Sequence, residues 1–408
     1  MADTMQAREA KDVETAVQWA LAQKKSLEVV GHGTKRALGR PAQVDATLDL
    51  AGLTGVTLYE PEELVLSART GTPLAEIEAL LDAKAQQLAF EPMDFGPLLG
   101  TPAGRATIGG VLAANLSGPR RIKAGAARDH FLGVTAVSGR GETFKSGGRV
   151  VKNVTGYDLC KLLAGSWGTL AVMTDVTVKT LPAPETEASV LVLGLDAVRA
   201  GDAMAAAMGS SCDVSGAAHF SDRVGARLPG DLAIGRSVTA LRLEGVAPSV
   251  AHRRDALRDL LTPFGTIELV EAAQSRTLWR AIRDVVPFAA NGPGSSRLIW
   301  RISTAPTQGA AAARLIAQRA DAEFLHDWAG GLVWAALAPS EDAGAAAVRA
   351  ATKACGGHAT LIRAPAAVRA AVGAFESESG ALAALTRRVK EGFDPQGVLG
   401  PGRMWAGV

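Results

Sequence analysis

The segment Leu27–Arg36, LEVVGHGTKR, decides the fold, because an apolar strand ends abruptly there at Gly31-His32-Gly33-Thr34 and two cations follow. Glycines let backbone N–H groups close around a phosphate, and Lys35 and Arg36 add charge of the right sign. Taken alone, the pattern fits a plain turn after a strand equally well. The glycine spacing departs from the dinucleotide fingerprint and Pro41 prevents a long helix, which disfavours a Rossmann-type NAD site. The segment indicates a nucleotide cradle of another kind.

Composition limits the remaining possibilities. The chain has 408 residues, enough for two or three domains, and 48% hydrophobic residues can fill several cores. A net charge of +2 gives no general attraction to nucleic acid or to an anionic membrane. No apolar run reaches the roughly 18 residues of a membrane helix, and the first residues lack a signal peptide's pattern. We expect a cytoplasmic chain without a nucleic-acid partner, bound to the inner membrane only through partner proteins, if at all.

The three cysteines, Cys160, Cys212 and Cys355, lie more than 50 residues apart. That spacing excludes a Cys-x-x-Cys metal or iron–sulfur motif and argues against a disulfide framework. We expect reduced, buried thiols, and we predict no metal site.

Two further glycine-rich segments follow the first in the chain. The second spans 104–128 and contains Thr107-Ile108-Gly109-Gly110, a run of small residues and then several arginines. The third, Gly165–Val172, leads into a strand that ends before Pro182. Small side chains allow a backbone to approach a flat ligand closely, although each segment alone also fits an ordinary loop. Three such segments in fixed order favour a ligand site.

Together with the run 153–158 and the tail Phe393–Leu399, these segments resemble the FAD-binding domain of the vanillyl-alcohol oxidase superfamily, the PCMH type. Within it the chain is most similar to the FAD-binding subunits of bacterial glycolate oxidases, over nearly its whole length. The resemblance implies an α+β fold with a two-subdomain FAD-binding domain. We place that domain at residues 1–184, a cap at 185–365, and a C-terminal helix and tail at 366–408 that return to the FAD domain.

The cap region alternates β-rich runs with alanine-rich helical runs. The order strand, helix, strand, strand, helix, strand is predicted twice, first over 188–271 and again over 296–363. Two such ferredoxin-like βαββαβ units would pool their strands into one antiparallel sheet with helices on one face. Caps of this superfamily are built in that way, and the open face would cover the flavin.

The resemblance also assigns the cofactor residues. FAD would lie with its diphosphate on the first loop, its flavin over the second and its adenosine half near the third. Arg120 and Arg128 would counter the diphosphate charge, with a solvated surface role equally open. The contacts predicted in this way are Gly31, His32, Gly33, Thr34, Lys35, Arg36, Thr107, Ile108, Gly109, Gly110, Ala114, Asn115, Gly118, Arg120, Arg128, Gly168, Thr169 and Val172.

The mode of FAD attachment follows from one position in the first loop. Relatives that tether flavin there carry histidine directly before the loop's Ser or Thr, where this chain has Gly33. His32 lies one residue too early and would be a loop residue near the phosphate. We therefore expect non-covalent FAD.

Substrate chemistry is less clearly written in the sequence. Oxidation of a 2-hydroxy acid needs a cation for the carboxylate and a base for the hydroxyl proton. His326 is a candidate base and Arg363 a candidate carboxylate clamp, although an ordinary structural role is a strong alternative for each. The His-rich metal motif of the catalytic partner subunit and of D-2-hydroxyacid dehydrogenases is absent from this cap.

Two hypotheses follow. In the first, the chain takes a hydride from glycolate or a related 2-hydroxy acid and passes electrons onward through flavin. In the second, it is an FAD-bearing relay or assembly subunit whose homologous partner does the chemistry. Both imply a complex with a larger FAD subunit and an iron–sulfur subunit. Another oxidoreductase of the superfamily, such as an alditol oxidase or enolpyruvyl reductase, is a third reading.

Overall fold

The computed structural model describes residues 3–41, 43–149, 156–229 and 235–405, so the predicted run 153–158 lies partly outside the described residues. No helix in these ranges is both long and apolar enough to cross a bilayer. The strands are β1 (Asp3–Gln6), β2 (Leu27–Val30), β3 (Ala46–Asp49), β4 (Val56–Glu60), β5 (Val65–Arg69), β6 (Gln86–Gln87), β7 (Phe131–Ser138), β8 (Thr143–Gly147), β9 (Ala171–Lys179), β10 (Leu181–Pro182), β11 (Thr186–Leu193), β12 (Gly216–Phe220), β13 (Val238–Gly245), β14 (Thr266–Val270), β15 (Leu298–Ser303), β16 (Ala322–Asp327), β17 (Leu332–Leu337) and β18 (His358–Arg363). The helices are α1 (Ala10–Gln23), α2 (Leu74–Asp82), α3 (Gly96–Leu99), α4 (Ile108–Ala114), α5 (Arg121–Ala124), α6 (Ala127–His130), α7 (Leu159–Leu163), α8 (Ala197–Met208), α9 (Asp222–Gly225), α10 (Ala247–Leu261), α11 (Ala272–Arg283), α12 (Gly309–Ala317), α13 (Ala345–Cys355), α14 (Ala366–Ala371) and α15 (Gly380–Phe393). The predicted α+β class is confirmed.

The N-terminal domain holds two main sheets. The first is a parallel sheet in the order β1-β3-β2, and the second is antiparallel in the order β4-β5-β9-β7-β8. Helix α1 covers the parallel sheet because Val13, Val17 and Ala20 form one buried face at helical spacing. Asp12 lies in its first turn and accepts hydrogen bonds from the N–H groups of residues 8 and 9, which fixes where the helix begins.

The cap is one sheet of eight strands in the order β14-β11-β13-β12-β16-β17-β15-β18, paired antiparallel throughout. The predicted order of strands and helices occurs twice, from β11 to β14 and from β15 to β18. The two units meet at the centre of the sheet, where their edge strands β12 and β16 pair through His219–His326 and Phe220–Leu325. A single long sheet results, with one unit forming each half.

The two faces of the cap sheet are covered differently. Helices α8 and α10 pack on one face of the first half through Val190 and Leu241, and α12 and α13 pack on the same face of the second half through Trp300 and Val333. Alternate residues, such as Leu191 and Leu325, point the other way into the core shared with the N-terminal domain. Helix α11 also lies on this second face, where Trp279 donates a hydrogen bond to Ser189.

The segment after β18 packs against the N-terminal domain. The buried Lys390 of α15 donates to the carbonyls of Thr169 and Leu399 at 2.7 and 2.8 Å and pairs with Asp394. Leu399 in turn forms a bridge with Leu27, at the start of β2. The last residues therefore hold the strand that carries the first glycine loop.

Candidate functional site

The first and second glycine segments contact each other. Gly31 follows β2, and a Cβ built there would lie 3.0 Å from Oγ1 of Thr107. Gly33 has a left-handed φ of 69°, which turns the loop back toward the domain. Thr107 caps α4 by accepting a hydrogen bond from Gly110 N–H at 3.2 Å. The fold thus brings together two loops that lie about 75 residues apart in the chain.

Gly109 and Gly110 have different roles. A Cβ at Gly109 would lie 2.5 Å from the Cβ of Thr70, so this glycine lets α4 pack on the antiparallel sheet. A Cβ at Gly110 would meet only side chains, with the Nζ of Lys35 at 3.3 Å. Gly110 therefore keeps open the space in front of Lys35.

Lys35 is a buried cation short of partners. It is 9% exposed, and its Nζ makes one hydrogen bond, to Oγ1 of Thr34 at 3.4 Å, with no ion pair among the described residues. Burial lowers the pKa of Lys35 to about 8, with Asp94 acting in the opposite direction and Arg403 in the same one. A buried ammonium without a counter-ion is unfavourable unless a ligand supplies the charge. A diphosphate would do so, and the residues present fit the diphosphate of FAD.

Two adjoining cavities form one groove along these loops. The first, of about 80 Å³, runs from Gly31 to Arg36, and the second, of about 70 Å³, continues to Gly168 and Val172. Thr107, Gly110 and Trp167 line both. The structure therefore brings together parts of all three glycine segments. Their roles as cofactor contacts stay predictions.

Several predicted contacts lie away from this groove. Thr169 is buried in a turn, where its hydroxyl donates to Ser166 O at 2.7 Å. Ile108 is fully buried in the core. Ala114 packs against the same core at the end of α4, and Asn115 accepts a hydrogen bond from the N–H of Arg128 through Oδ1. These residues support the second and third segments from the core and do not line the groove.

Two predicted cations are already paired with carboxylates. Arg36 binds Glu28 at 2.6 Å, and Arg120 binds Glu244 of the cap through two hydrogen bonds of 3.0 and 2.7 Å. The expectation that Arg120 counters the diphosphate is therefore not supported, because its fork is occupied. Arg128 is exposed, as its alternative surface role implies.

Sequence reasoning missed two residues that line the groove. Arg403 is buried, contacts the carbonyl of Lys35 at 3.1 Å and lies over the ring of Trp167 at 5.9 Å. Trp167 has a left-handed φ of 56° and lines both cavities. An aromatic residue inside the third glycine segment was an available signal. Arg403 offered none, because only the fold returns the tail to the first loop.

His32 lies at the open edge of the groove. Its Nδ1 is 3.0 Å from the carbonyl oxygen of Arg105. Gly118 lies within the second segment, and its carbonyl oxygen accepts a hydrogen bond from the indole N–H of Trp328 in the cap at 3.0 Å. This contact joins the cap to the segment expected to carry the flavin.

The structure does not support His326 as the base. His326 is 4% exposed and lies on the helix-covered face of the cap sheet beside His219 and Phe324, while its neighbours Leu325 and Asp327 point to the other face. Burial, with a smaller effect of His219, lowers the pKa of His326 to about 3. It is a neutral core histidine.

The guanidinium of Arg363 is engaged with backbone carbonyl groups and is not available to bind a substrate carboxylate. Its guanidinium donates to the carbonyls of Leu98, Phe288, Gly294 and Arg297 at distances between 2.6 and 3.3 Å. Three strand spacings, about 14 Å, separate β18 from β16, so Arg363 and His326 do not share one small site. We do not carry this pair forward as catalytic residues.

Comparison with known proteins gives a consistent assignment. The FAD binding domain family model matches residues 3–147. Glycolate oxidase subunit GlcE of Escherichia coli (strain K12) is 34% identical over 394 residues, which cover 96% of this chain and 95% of that protein. D-lactate dehydrogenase of Anaerostipes hadrus is 34% identical over 145 residues, 36% of this chain and 29% of that protein.

Solved structures agree on the fold. A p-cresol methylhydroxylase matches with a TM-score of 0.72 at 14% identity, covering 99% of this chain and 88% of that one. An alkyldihydroxyacetonephosphate synthase matches with a TM-score of 0.67 at 16% identity, covering 98% of this chain and 75% of that one. At such identities the likeness shows the fold alone.

Proposed function

Because this chain belongs to the glycolate oxidase subunit GlcE family, with FAD as its cofactor, we propose that it takes part in the oxidation of a small 2-hydroxy acid and passes the electrons on to partner subunits. The observation that carries the proposal is the buried Lys35, which has no ion pair among the described residues and faces two glycine loops. When bound, FAD supplies the two-electron acceptor that this reaction needs.

The chain's own contribution at the cofactor is electrostatic and steric. Lys35 would pair with the diphosphate, and Gly31 and Gly110 would let backbone and ligand approach closely. Gly33 stands where tethered relatives carry histidine, so we propose that the FAD dissociates. Acid precipitation should then release yellow flavin into the supernatant, whereas flavin retained on the denatured chain would contradict this.

For the substrate we propose Asp327 as the base and Arg301 as the carboxylate-binding cation, in place of His326 and Arg363. Both point to the face of the cap sheet that meets the N-terminal domain, near Trp328, whose indole binds Gly118 O. The Nε of Arg301 is buried without a hydrogen-bond partner in the described ranges, so this guanidinium has capacity to hold a carboxylate. Burial raises the pKa of Asp327 to about 7, which suits a group that accepts the hydroxyl proton at neutral pH.

We propose a larger FAD subunit and an iron–sulfur subunit as partners. Glycolate oxidase subunit GlcD of Bacillus subtilis (strain 168) is 42% identical over 88 residues, 22% of this chain and 19% of that protein, so the two subunit types share part of their sequence. The chain's three cysteines are free, buried and far apart in sequence. A one-electron iron–sulfur carrier would therefore reside on another polypeptide. Any attachment to the inner membrane would run through these partners.

The relay hypothesis remains a second candidate function. Among the described residues no group of three or more His, Cys, Asp or Glu could hold a metal ion. Metal-assisted activation of a hydroxy acid is thus unsupported in this chain by itself. In the relay reading, Asp327 and Arg301 stabilise the join between cap and N-terminal domain.

Anaerobic mixing of the flavin-loaded chain with glycolate, D-lactate or glycerate distinguishes substrate oxidation by this chain from the relay function. Loss of flavin absorbance with the chain alone supports substrate oxidation, and an Asp327→Asn variant should bleach at least about tenfold more slowly. Bleaching only after the larger subunit is added supports the relay function and contradicts our assignment of Asp327 and Arg301.

Flavin binding itself is tested by Gly110→Val, which should fill the space before Lys35 and prevent FAD retention. Gly201→Val is the matched control, because a Cβ at Gly201 meets nothing within 4 Å. A fully yellow Gly110→Val protein would contradict the placement of the diphosphate.

A further inference from the structure

A separate cavity of about 710 Å³ lies between the N-terminal domain and the first half of the cap. Helix α2 and residues 86–92 form one side, and β11, β13 and α11 form the other. Of the predicted flavin contacts, only Arg120 lines it, and that side chain is held by Glu244. The flavin groove therefore does not account for this cavity.

Its inner wall is a charge-balanced network. The guanidinium of Arg242 is 1% exposed and binds both carboxylate oxygens of Glu91 at 2.8 and 2.9 Å, while Arg120 binds Glu244. Burial alone would raise the pKa of Glu91, but Arg242 and Arg120 lower it overall. These four groups satisfy one another, so the wall needs no ligand.

One carboxyl group on the same wall, that of Glu187, is only partly satisfied: the hydroxyl group of Ser275 acts on it, and burial raises its pKa overall. Glu187 of β11 lies directly opposite Glu244 of β13, is 6% exposed and lines the cavity. Its Oε1 is buried and has no hydrogen-bond partner in the part of the chain that the structure describes. The carboxyl group lines the cavity, where a hydroxyl group on a ligand would form the hydrogen bond that the surrounding protein leaves unmade.

The rim of the cavity carries two cations without an ion pair among the described residues, although Arg280 lies near enough to Glu78, which also lines the cavity, to lower the pKa that burial raises. Arg276 and Arg280 lie four residues apart on one face of α11, both are exposed, and neither joins an ion pair within the described residues. Arg283, one turn further on, is held by Asp284 at 2.8 Å. Two guanidinium forks on one rim can each receive a carboxylate or phosphate group.

From this arrangement we propose that the cavity binds a small hydroxylated organic dianion, a hydroxy dicarboxylate or a phosphorylated hydroxy acid. Its anionic groups pair with Arg276 and Arg280, and its hydroxyl group forms a hydrogen bond with the carboxyl group of Glu187. Leu81, Leu88 and Trp279 supply apolar walls for the carbon chain. The volume suits a small organic ligand. Since domain and cap both line the cavity, the ligand bridges them, and the site goes beyond the proposed redox function.

Isothermal titration of the flavin-loaded full chain tests the site. The probes are D-malate, L-malate, 3-phosphoglycerate, succinate and inorganic phosphate. We expect one saturable site for a malate or for 3-phosphoglycerate with a Kd of about 1 mM or below, and about tenfold weaker binding of succinate, which lacks the hydroxyl group. Preference for a malate or for the phosphorylated acid identifies the ligand's second anionic group.

The double variant Arg276→Ala/Arg280→Ala should lower this affinity at least about tenfold. Arg314→Ala/Arg319→Ala is the matched control, because it removes two exposed arginines at the end of α12 in the other half of the cap. Glu187→Met, of similar length, should abolish the difference between malate and succinate. The flavin spectrum and its bleaching rate should not change in the arginine variants, so failure of this site is distinguishable from failure of the redox function.

Several results would overturn the proposal. These are the absence of saturable binding for all the organic anions, equal binding of succinate and malate to the wild-type chain, and inorganic phosphate binding as tightly as the organic anions. An equal loss of affinity in the two double variants would likewise show that the overall charge of the protein, and not this cavity, governs binding of the anion.

Discussion

Two buried cations in this protein have opposite surroundings. Arg242, on strand β13 of the cap, has two carboxylates, those of Glu91 and Glu244, within 3.5 Å. Lys35, in the first glycine loop, has one hydroxyl group as a hydrogen-bond partner and no carboxylate partner among the described residues. A charge that the protein itself balances holds the structure together, while a charge left unbalanced lowers stability until a ligand arrives. The difference separates a structural network from a binding site.

Breaking the balanced network should have the largest effect on stability. Arg242→Met leaves Glu91 buried, although Arg120 still lies 3.4 Å away, so we expect the free energy of unfolding to fall by about 3 kcal/mol. Urea unfolding measures the change. Arg314→Met, at an exposed site, should stay within about 0.5 kcal/mol of wild type. Unchanged stability in Arg242→Met would remove the distinction between the two cations.

Removing the unbalanced cation should instead affect FAD. Lys35→Met should weaken FAD binding about 10- to 100-fold, because the diphosphate loses a charge-assisted partner, and it should not destabilise the flavin-free chain. Equilibrium titration of the flavin-free protein gives the affinity. Lys353→Met is the matched control at an exposed lysine. Loss of stability without loss of FAD affinity would make Lys35 a structural residue.

The same lysine predicts a pH dependence. The pKa of Lys35 is about 8 without ligand, and a bound diphosphate would raise it. FAD affinity should therefore be constant below pH 8 and fall by up to about tenfold per pH unit above it, as the free protein loses its proton. Lys35→Met should lack this decline, and an equal decline in both proteins would assign it to another group.

The smallest effect is expected at Asp327, a buried carboxyl without a full ion pair. Its pKa is raised to about 7 in the folded chain, above the unfolded value near 3.9, so folding binds protons between these pH values. The contribution of Asp327 to stability should be greatest below about pH 4 and decline as the pH rises to 7. Asp327→Asn should remove this decline, so that the variant is more stable than wild type at pH 8 and little changed at pH 4. An unaltered pH profile would show that Asp327 is not the titrating group.

The cap illustrates what the sequence could and could not predict. Its twelve main elements follow from hydrophobic periodicity, which is a local property of strands and helices. Alternation could not place His326, because Phe324 and Leu325 are both apolar and do not reveal which face of the strand meets the N-terminal domain. Only the pairing of β16 with β12 and the packing of helices on one face decide it.

The arginines show the same limit over longer distances. Arg120 looked like a diphosphate partner because it follows a glycine segment, yet its carboxylate partner Glu244 lies 124 residues further along the chain. Arg403 joins the first loop from the other end of the sequence. Neither contact leaves a pattern in the neighbouring residues.

The sequence by itself determined the order of strands and helices and the three glycine segments, because periodicity and the absence of side chains act on neighbouring residues; the kind of cofactor followed from the family resemblance that these segments carry. The tertiary structure alone decided which charges are balanced. It paired Arg242 with Glu91, left Lys35 facing an open groove and set Glu187 and two arginines around one cavity. Electrostatic balance depends on distance in space, and folding brings together groups that the chain keeps far apart.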